Sequence, residues 1–186
     1  MTLKVAHKRF TVEEFYRMGE AGIFTEDDRV ELIEGEIIEM SPIGKRHAVC
    51  VARLTGLFGQ LAEKRFIVWV QNPLPLNAYS EPQPDITLLK FRSDFYAQKD
   101  IEPADVLLII EVSDTTLEYD REVKIPLYAR AGIPESWVID LAHEAVEVYS
   151  QPEEGEYRSV RTVKRGETLT PVALPDISLT VDDILG

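Results

Sequence analysis

One stretch governs what this chain can fold into: residues 106–113 read Val-Leu-Leu-Ile-Ile-Glu-Val-Ser. So short and apolar a run has the content of a strand buried on both faces, with a polar exit at its end. Glu111 breaks the pattern. An ionised carboxylate in such a place costs several kcal/mol unless it is paired, hydrogen-bonded or bound to a metal. Upstream, Pro84-Asp85 precedes the β-forming Ile86-Thr87-Leu88-Leu89. Two acids on two neighbouring strand candidates raise the question of a divalent cation.

The rest of the chain supplies elements to surround that strand. Thr11-Val-Glu-Glu14 is a capping-box pattern that opens a short helix over roughly 12–20. Residues 29–40 read as two short strands around Glu34-Gly35, a hairpin signal. A longer helix over about 45–63 carries the apolar stripe Val51, Leu54, Phe58 and Leu61. Phe66–Val70 and residues 85–90 are strands, separated by a Pro-rich loop over 77–84. Asp120 to Ala131 reads as helical with Pro126 inside it, which predicts a kink or a late start; Gly132 suits the position just past its end. Residues 136–141 and 145–150 form a hairpin, and 157–164 with 168–174 a further β-ribbon. The tail, Ile177 to Leu185, alternates weakly. The expectation is one α/β domain over residues 1–186, a mixed sheet flanked by helices with additional antiparallel hairpins.

Composition narrows the function. The 186 residues suit a single domain with a substantial core. No apolar stretch reaches the ~18 residues of a membrane span, and the start, Met-Thr-Leu-Lys-Val-Ala-His-Lys, lacks the apolar core of a signal peptide. Cys50 is the only cysteine, so neither an internal disulfide nor a cysteine-based zinc site can form within one chain. A cytoplasmic protein is expected. The net charge of −13 argues against a generic nucleic-acid binder. Its distribution is uneven: residues 41–72 hold Lys45, Arg46, Arg53, Lys64 and Arg65 against Glu63 alone, a local +4. Acids clustered around Asp85 and Glu111 suit a cation site, and a locally basic helix can still meet phosphate.

Asp85 and Glu111 lie 26 residues apart, and Lys124 follows Glu111 by 13. These are the types that phosphodiester hydrolysis needs. Two carboxylates hold Mg²⁺ through oxygen ligands, the ion activates a water, and an ammonium orients that water or meets the developing charge. The residues resemble the PD-(D/E)XK nuclease superfamily. They resemble more closely a large family of uncharacterised bacterial proteins described as restriction endonuclease-like. The shared features run from about Phe10 to Leu185. They are Glu31-Leu-Ile-Glu-Gly-Glu36, Ser41-Pro with a histidine shortly after, Pro84-Asp-Ile86, Glu111-Val-Ser113, Asp120 with Lys124 and Tyr128, and Ala131-Gly-Ile-Pro-Glu-Ser-Trp137.

The resemblance implies a restriction endonuclease-like core. It also implies Mg²⁺- or Mn²⁺-dependent cleavage of nucleic acid, DNA before RNA. Asp85, Glu111 and the Val112 main-chain carbonyl would hold the ion, and Lys124 would be the catalytic ammonium. The superfamily lysine normally stands two residues after the second acid, where this chain has Ser113. Lys124 would have to bring the charge back from the next helix. A catalytically inactive nuclease fold acting as a binding module is therefore the alternative. A two-carboxylate glycosidase is a third reading, disfavoured because nothing supplies an aromatic sugar platform beside the acids.

Accessory candidates follow. His47 falls one turn before Val51 on its helix stripe and should face inward. Glu34 is an additional metal-ligand candidate, preferred here over Glu31. Asp120 is either a site residue or the i, i+4 partner of Lys124, and Tyr128 reads as core packing. A homodimer would present two sites to the two strands of a duplex.

Overall fold

The computed structural model describes residues 7–25 and 27–186. Most of the Met1–Lys8 segment, on which the expectation about a signal peptide rested, and Glu26 lie outside the described residues. Helix α1 (Val12–Glu20) begins at a Thr11 capping box with Glu14. Strands β1 (Val30–Ile33) and β2 (Glu36–Glu39) form the expected hairpin. Its turn is Glu34-Gly35, both at positive φ, 49° and 81°, the conformation that a two-residue hairpin loop demands. Helix α2 spans Lys45–Ala62.

The main sheet has six strands in the order β3-β4-β5-β6-β7-β8. They are β3 (Phe66–Val70), β4 (Ile86–Lys90), β5 (Val106–Ser113), β6 (Glu135–Asp140), β7 (Ala145–Glu153) and β8 (Glu156–Lys164). Every neighbouring pair is antiparallel except β5 and β6. A parallel pair needs a crossover. It is made by α3 (Leu117–Tyr119), a π-helical turn (Asp120–Lys124) and α4 (Ile125–Arg130).

The two-residue period of a strand sorts β5 between two cores. Leu108, Ile110 and Val112 join Trp137 and Ile139 under α2, through Val51, Leu54 and Phe58. Ile109 joins Ile67, Leu89 and Val138 under α4 and the hairpin, through Ile125, Tyr128 and Ile33. Glu111 is in step with Ile109 and therefore points into this second layer.

Pro126 has no N–H to donate, so the α-helical ladder cannot run through it. The structure resolves this by starting α4 at Ile125, whose amide reaches back to the Asp120 carbonyl across the π turn. The helix ends as the glycine predicts: Gly132 N–H bonds the Ala129 carbonyl and Ile133 N–H the Tyr128 carbonyl, with Gly132 at φ 75°.

The expected ribbon between 157–164 and 168–174 is corrected. β8 pairs with β7, while β9 (Thr168–Leu169) pairs with β10 (Leu179–Thr180). The tail then closes in helix α5 (Val181–Leu185), started by a Thr180 capping box with Asp183. Burial decides this route. Leu169, Leu174, Ile177, Leu179, Val181 and Ile184 all reach the α2-side core, which an exposed ribbon would deny them.

Candidate metal centre

The site lies where β4 begins and β5 ends. Antiparallel pairing sets Ile86 opposite Ile110, so the residue before β4, Asp85, arrives beside Glu111. Its Oδ2 accepts the Val112 N–H at 2.9 Å and stands 3.0 Å from His47 Nε2 on α2. Its Oδ1 accepts Gln71 Nε2 at 3.1 Å. Burial pushes the Asp85 carboxyl up, but the His47, Val112 and Gln71 hydrogen bonds outweigh it and hold it below the usual carboxylate range. The same contact raises His47, against its own burial.

The crossover returns the chain to the same sheet end and brings Lys124 with it. Its Nζ lies 3.3 Å from Glu111 Oε1 and 3.2 Å from Glu31 Oε2. All three side chains are at least 95% buried. Tyr128, one turn on, donates its hydroxyl to Glu111 Oε1. Glu31 also accepts the Gln83 N–H at 3.0 Å and the Tyr119 hydroxyl at 3.2 Å. Burial drives Glu111 up to about 8, in spite of the nearby ammonium. For Lys124 burial works toward neutrality, but the surrounding carboxylates win and keep it protonated.

Ser113 occupies the strand position where the superfamily carries its lysine. Its hydroxyl donates to Asp120 Oδ2 at 2.7 Å, and Thr116 adds a second donor at 2.8 Å. Asp120 is thus a buried, hydrogen-bonded acid of the π turn, raised by burial against these contacts. A cleft of ≈ 710 Å³ opens over the group, lined among others by Glu31, His47, Asp85, Glu111, Asp120 and Lys124.

The structure therefore gathers Asp85, Glu111, Lys124, His47, Asp120, Ser113 and Val112 into one locality. It does not bring in Glu34. That side chain sits at the exposed hairpin turn, 2.8 Å from Arg130 Nη2, because a residue at the tip of a two-residue loop projects away from the strands. Glu31, passed over in the sequence, is the hairpin acid that faces the site. The readable signal was alternation: Glu31 is in step with Ile33, the buried end of β1. Gln71 and Tyr119 carried no comparable signal, and Tyr128 is core packing with a hydroxyl that reaches the acid.

The basic segment of residues 41–72 keeps Lys45, Arg46, Arg53, Lys64 and Arg65 exposed, and three of the five find partners within the chain. Arg46 pairs with Asp114 at 3.2 Å, Arg53 bonds the Leu185 carbonyl and Arg65 pairs with Asp176 at 2.8 Å. Among the described residues no three carboxylate, imidazole or thiol groups form a ready-made cation cage. The chemistry on offer is two acids, an adjacent main-chain carbonyl and an ammonium.

A family model described as "Putative restriction endonuclease" (Uma2) matches residues 12–182 of the chain. Among solved structures, "a putative nuclease belonging to DUF820" from Anabaena variabilis ATCC 29413 superposes with a TM-score of 0.72 at 17% identity, covering 95% of this chain and 97% of that one. At that identity the likeness speaks for the fold. No curated protein matches.

Proposed function

Since the chain belongs to the Uma2 family of restriction endonuclease-like proteins, we propose that it is a divalent-cation-dependent endonuclease acting on DNA. One observation carries the reading: the Lys124 ammonium, delivered from the crossover, stands 3.3 Å from Glu111, with Asp85 beside it on the same cleft. This restores across two elements the acid–acid–lysine set that Ser113 breaks within one strand. It speaks against the alternative of an inactive binding module, which rested on that serine.

The donor set fits Mg²⁺ or Mn²⁺. Asp85 is held ionised, and its three hydrogen bonds leave lone-pair capacity on the carboxylate. Glu111 Oε2 accepts no hydrogen bond among the described residues, since the Tyr128 hydroxyl takes Oε1. These are hard oxygen donors, with the Val112 carbonyl a third. When bound, such an ion supplies Lewis acidity toward the phosphate and makes a water more acidic.

The chain's own part is positional. Asp85 and Glu111 would hold the ion. Lys124 directs the attacking water and stabilises negative charge growing on the phosphate oxygens. His47 and Gln71 hold the Asp85 carboxylate in place, and Asp120 anchors the π turn that bears Lys124. A homodimer would set two such clefts on the two strands of a duplex, which sedimentation in solution checks directly.

The deciding experiment is nicking of supercoiled plasmid with added Mg²⁺ or Mn²⁺ or with chelator, with an RNA substrate in parallel. Wild type should nick DNA only with cation. Asp85→Ala, Glu111→Ala and Lys124→Ala should each lose at least ~10²-fold in rate, the usual scale for removing a group that stabilises transition-state charge. Undiminished nicking by Asp85→Ala would refute the assignment, and preferential cleavage of the RNA would change the substrate.

A further inference from the structure

Glu31 belongs to none of the strands that carry Asp85 and Glu111. It comes from the separate β1–β2 hairpin, yet it is 2% exposed and meets Lys124 at 3.2 Å. Its carboxylate is itself held on both oxygens: Oε2 by the Gln83 main-chain N–H and Oε1 by the Tyr119 hydroxyl. The ammonium therefore sits between two carboxylates of different standing. Glu111 lies on the strand end proposed to hold the cation. Glu31 is tied into the hairpin and the Gln83 segment, and its oxygens are already engaged.

We propose that Glu31 is a positioning residue, which fixes the Lys124 ammonium at the reacting phosphate and keeps it there when Glu111 engages the cation. This rests on the hydrolytic reading of the same site. A lysine arriving from a helix has a long flexible stem. On a strand, the lysine would be aimed by the backbone beside the acid. Here Ser113 has that place and spends its hydroxyl on Asp120, so the aim must come from a partner. Without Glu31, the only carboxylate in salt-bridge reach of Nζ among the described residues is Glu111. A cation on Glu111 would repel the ammonium from it. The hairpin thereby becomes a working part of the site.

The test combines rate and melting measurements on Glu31→Gln, Lys124→Ala and the double variant. Gln is nearly isosteric and keeps the acceptor for Gln83. Glu31→Gln should lower kcat for Mn²⁺-dependent nicking about a hundredfold, the scale of a misplaced catalytic group. KM and the Mn²⁺ concentration giving half-maximal rate should stay unchanged. Glu31→Asp, which keeps the charge, should recover part of the rate. On the Lys124→Ala background, Glu31→Gln should cost nothing further, because its effect runs through the lysine.

The melting cycle reads the same coupling without activity: each single variant lowers Tm, and the double melts no lower than the worse single. Full additivity in either cycle, or a raised Mn²⁺ requirement in Glu31→Gln, overturns the proposal; the latter would make Glu31 a cation ligand. A wild type that nicks neither with Mg²⁺ nor with Mn²⁺ sinks the hydrolase reading instead, and the melting cycle then decides the Glu31–Lys124 coupling alone.

Discussion

Burial makes the Glu111 carboxyl harder to ionise than a free one, against the pull of Lys124 and the Tyr128 hydroxyl. Burial lifts it from 4.5 to about 8, so its contribution to stability is complete at acid pH and is lost as the pH rises through the folded-state value. His47, raised by Asp85, works in the same direction, whereas Asp85, held low, favours the fold until the pH falls through its own folded value. In chelator, the Tm of the wild type should therefore fall between about pH 5 and about pH 8. Glu111→Gln, with no proton to lose, should flatten that fall. Parallel Tm series for the two proteins check this, and superimposable slopes would refute it. That Asp85, Glu111 and Lys124 are candidates for one site was legible in the sequence because an acid inside an apolar strand is costly, and because the family resemblance gave it partners. For Glu31 only the inward face was readable, by alternation; its meeting with Lys124 was not, since that depends on how a hairpin lies against a crossover 88 residues later in the chain, as the Tyr119–Glu31 hydrogen bond also shows.

Elements follow sequence most closely where backbone chemistry is local. Capping boxes at Thr11 and Thr180, the Glu34-Gly35 turn and the Gly132 helix end all depend on neighbours a few residues away. Gly35 is the strictest of these. It combines φ of 81° with a position where a Cβ would come within 2.6 Å of Arg9 Cβ. Gly35→Ala should cost about 1–3 kcal/mol through backbone strain and displacement of Arg9. A Tm drop of several degrees by calorimetry would bear this out, and an unchanged Tm would count against the tight approach. Because the hairpin also carries Glu31, the same variant should slow nicking. Pro126 announced a break in its helix, but the π turn that holds Asp120 and Lys124 together was not foreseeable from a proline alone. The segment over 168–174 was misassigned for a related reason: its alternation is compatible with several partners, and only competition for buried area chose β10 over β8.

On the scale of the whole molecule, charge and cleft explain each other. Seven carboxylates line the cleft against Arg29, Lys124 and His47. Such a field repels phosphate until a cation offsets it. Cation binding should stabilise the fold accordingly: at a hundredfold excess over Kd the linkage is about 2.7 kcal/mol, or roughly 5–10 °C for a chain of this size. Thermal melts with Mg²⁺ or Mn²⁺ against chelator test this, with Asp85→Ala expected to lose the shift; a cation-independent Tm in wild type would remove the support for a metal centre. No helix among the described residues is long and apolar enough to cross a membrane. The sequence by itself determined the class of fold, most of the strands and helices, and the acid pair as a candidate, because hydrophobic period, caps and turns act over short stretches of chain. Only the tertiary structure decided that Lys124 meets Glu111, and that Glu31 rather than Glu34 reaches that lysine. Those outcomes hang on packing between elements far apart in sequence, where one parallel crossover and one hairpin choose which side chains share a buried space.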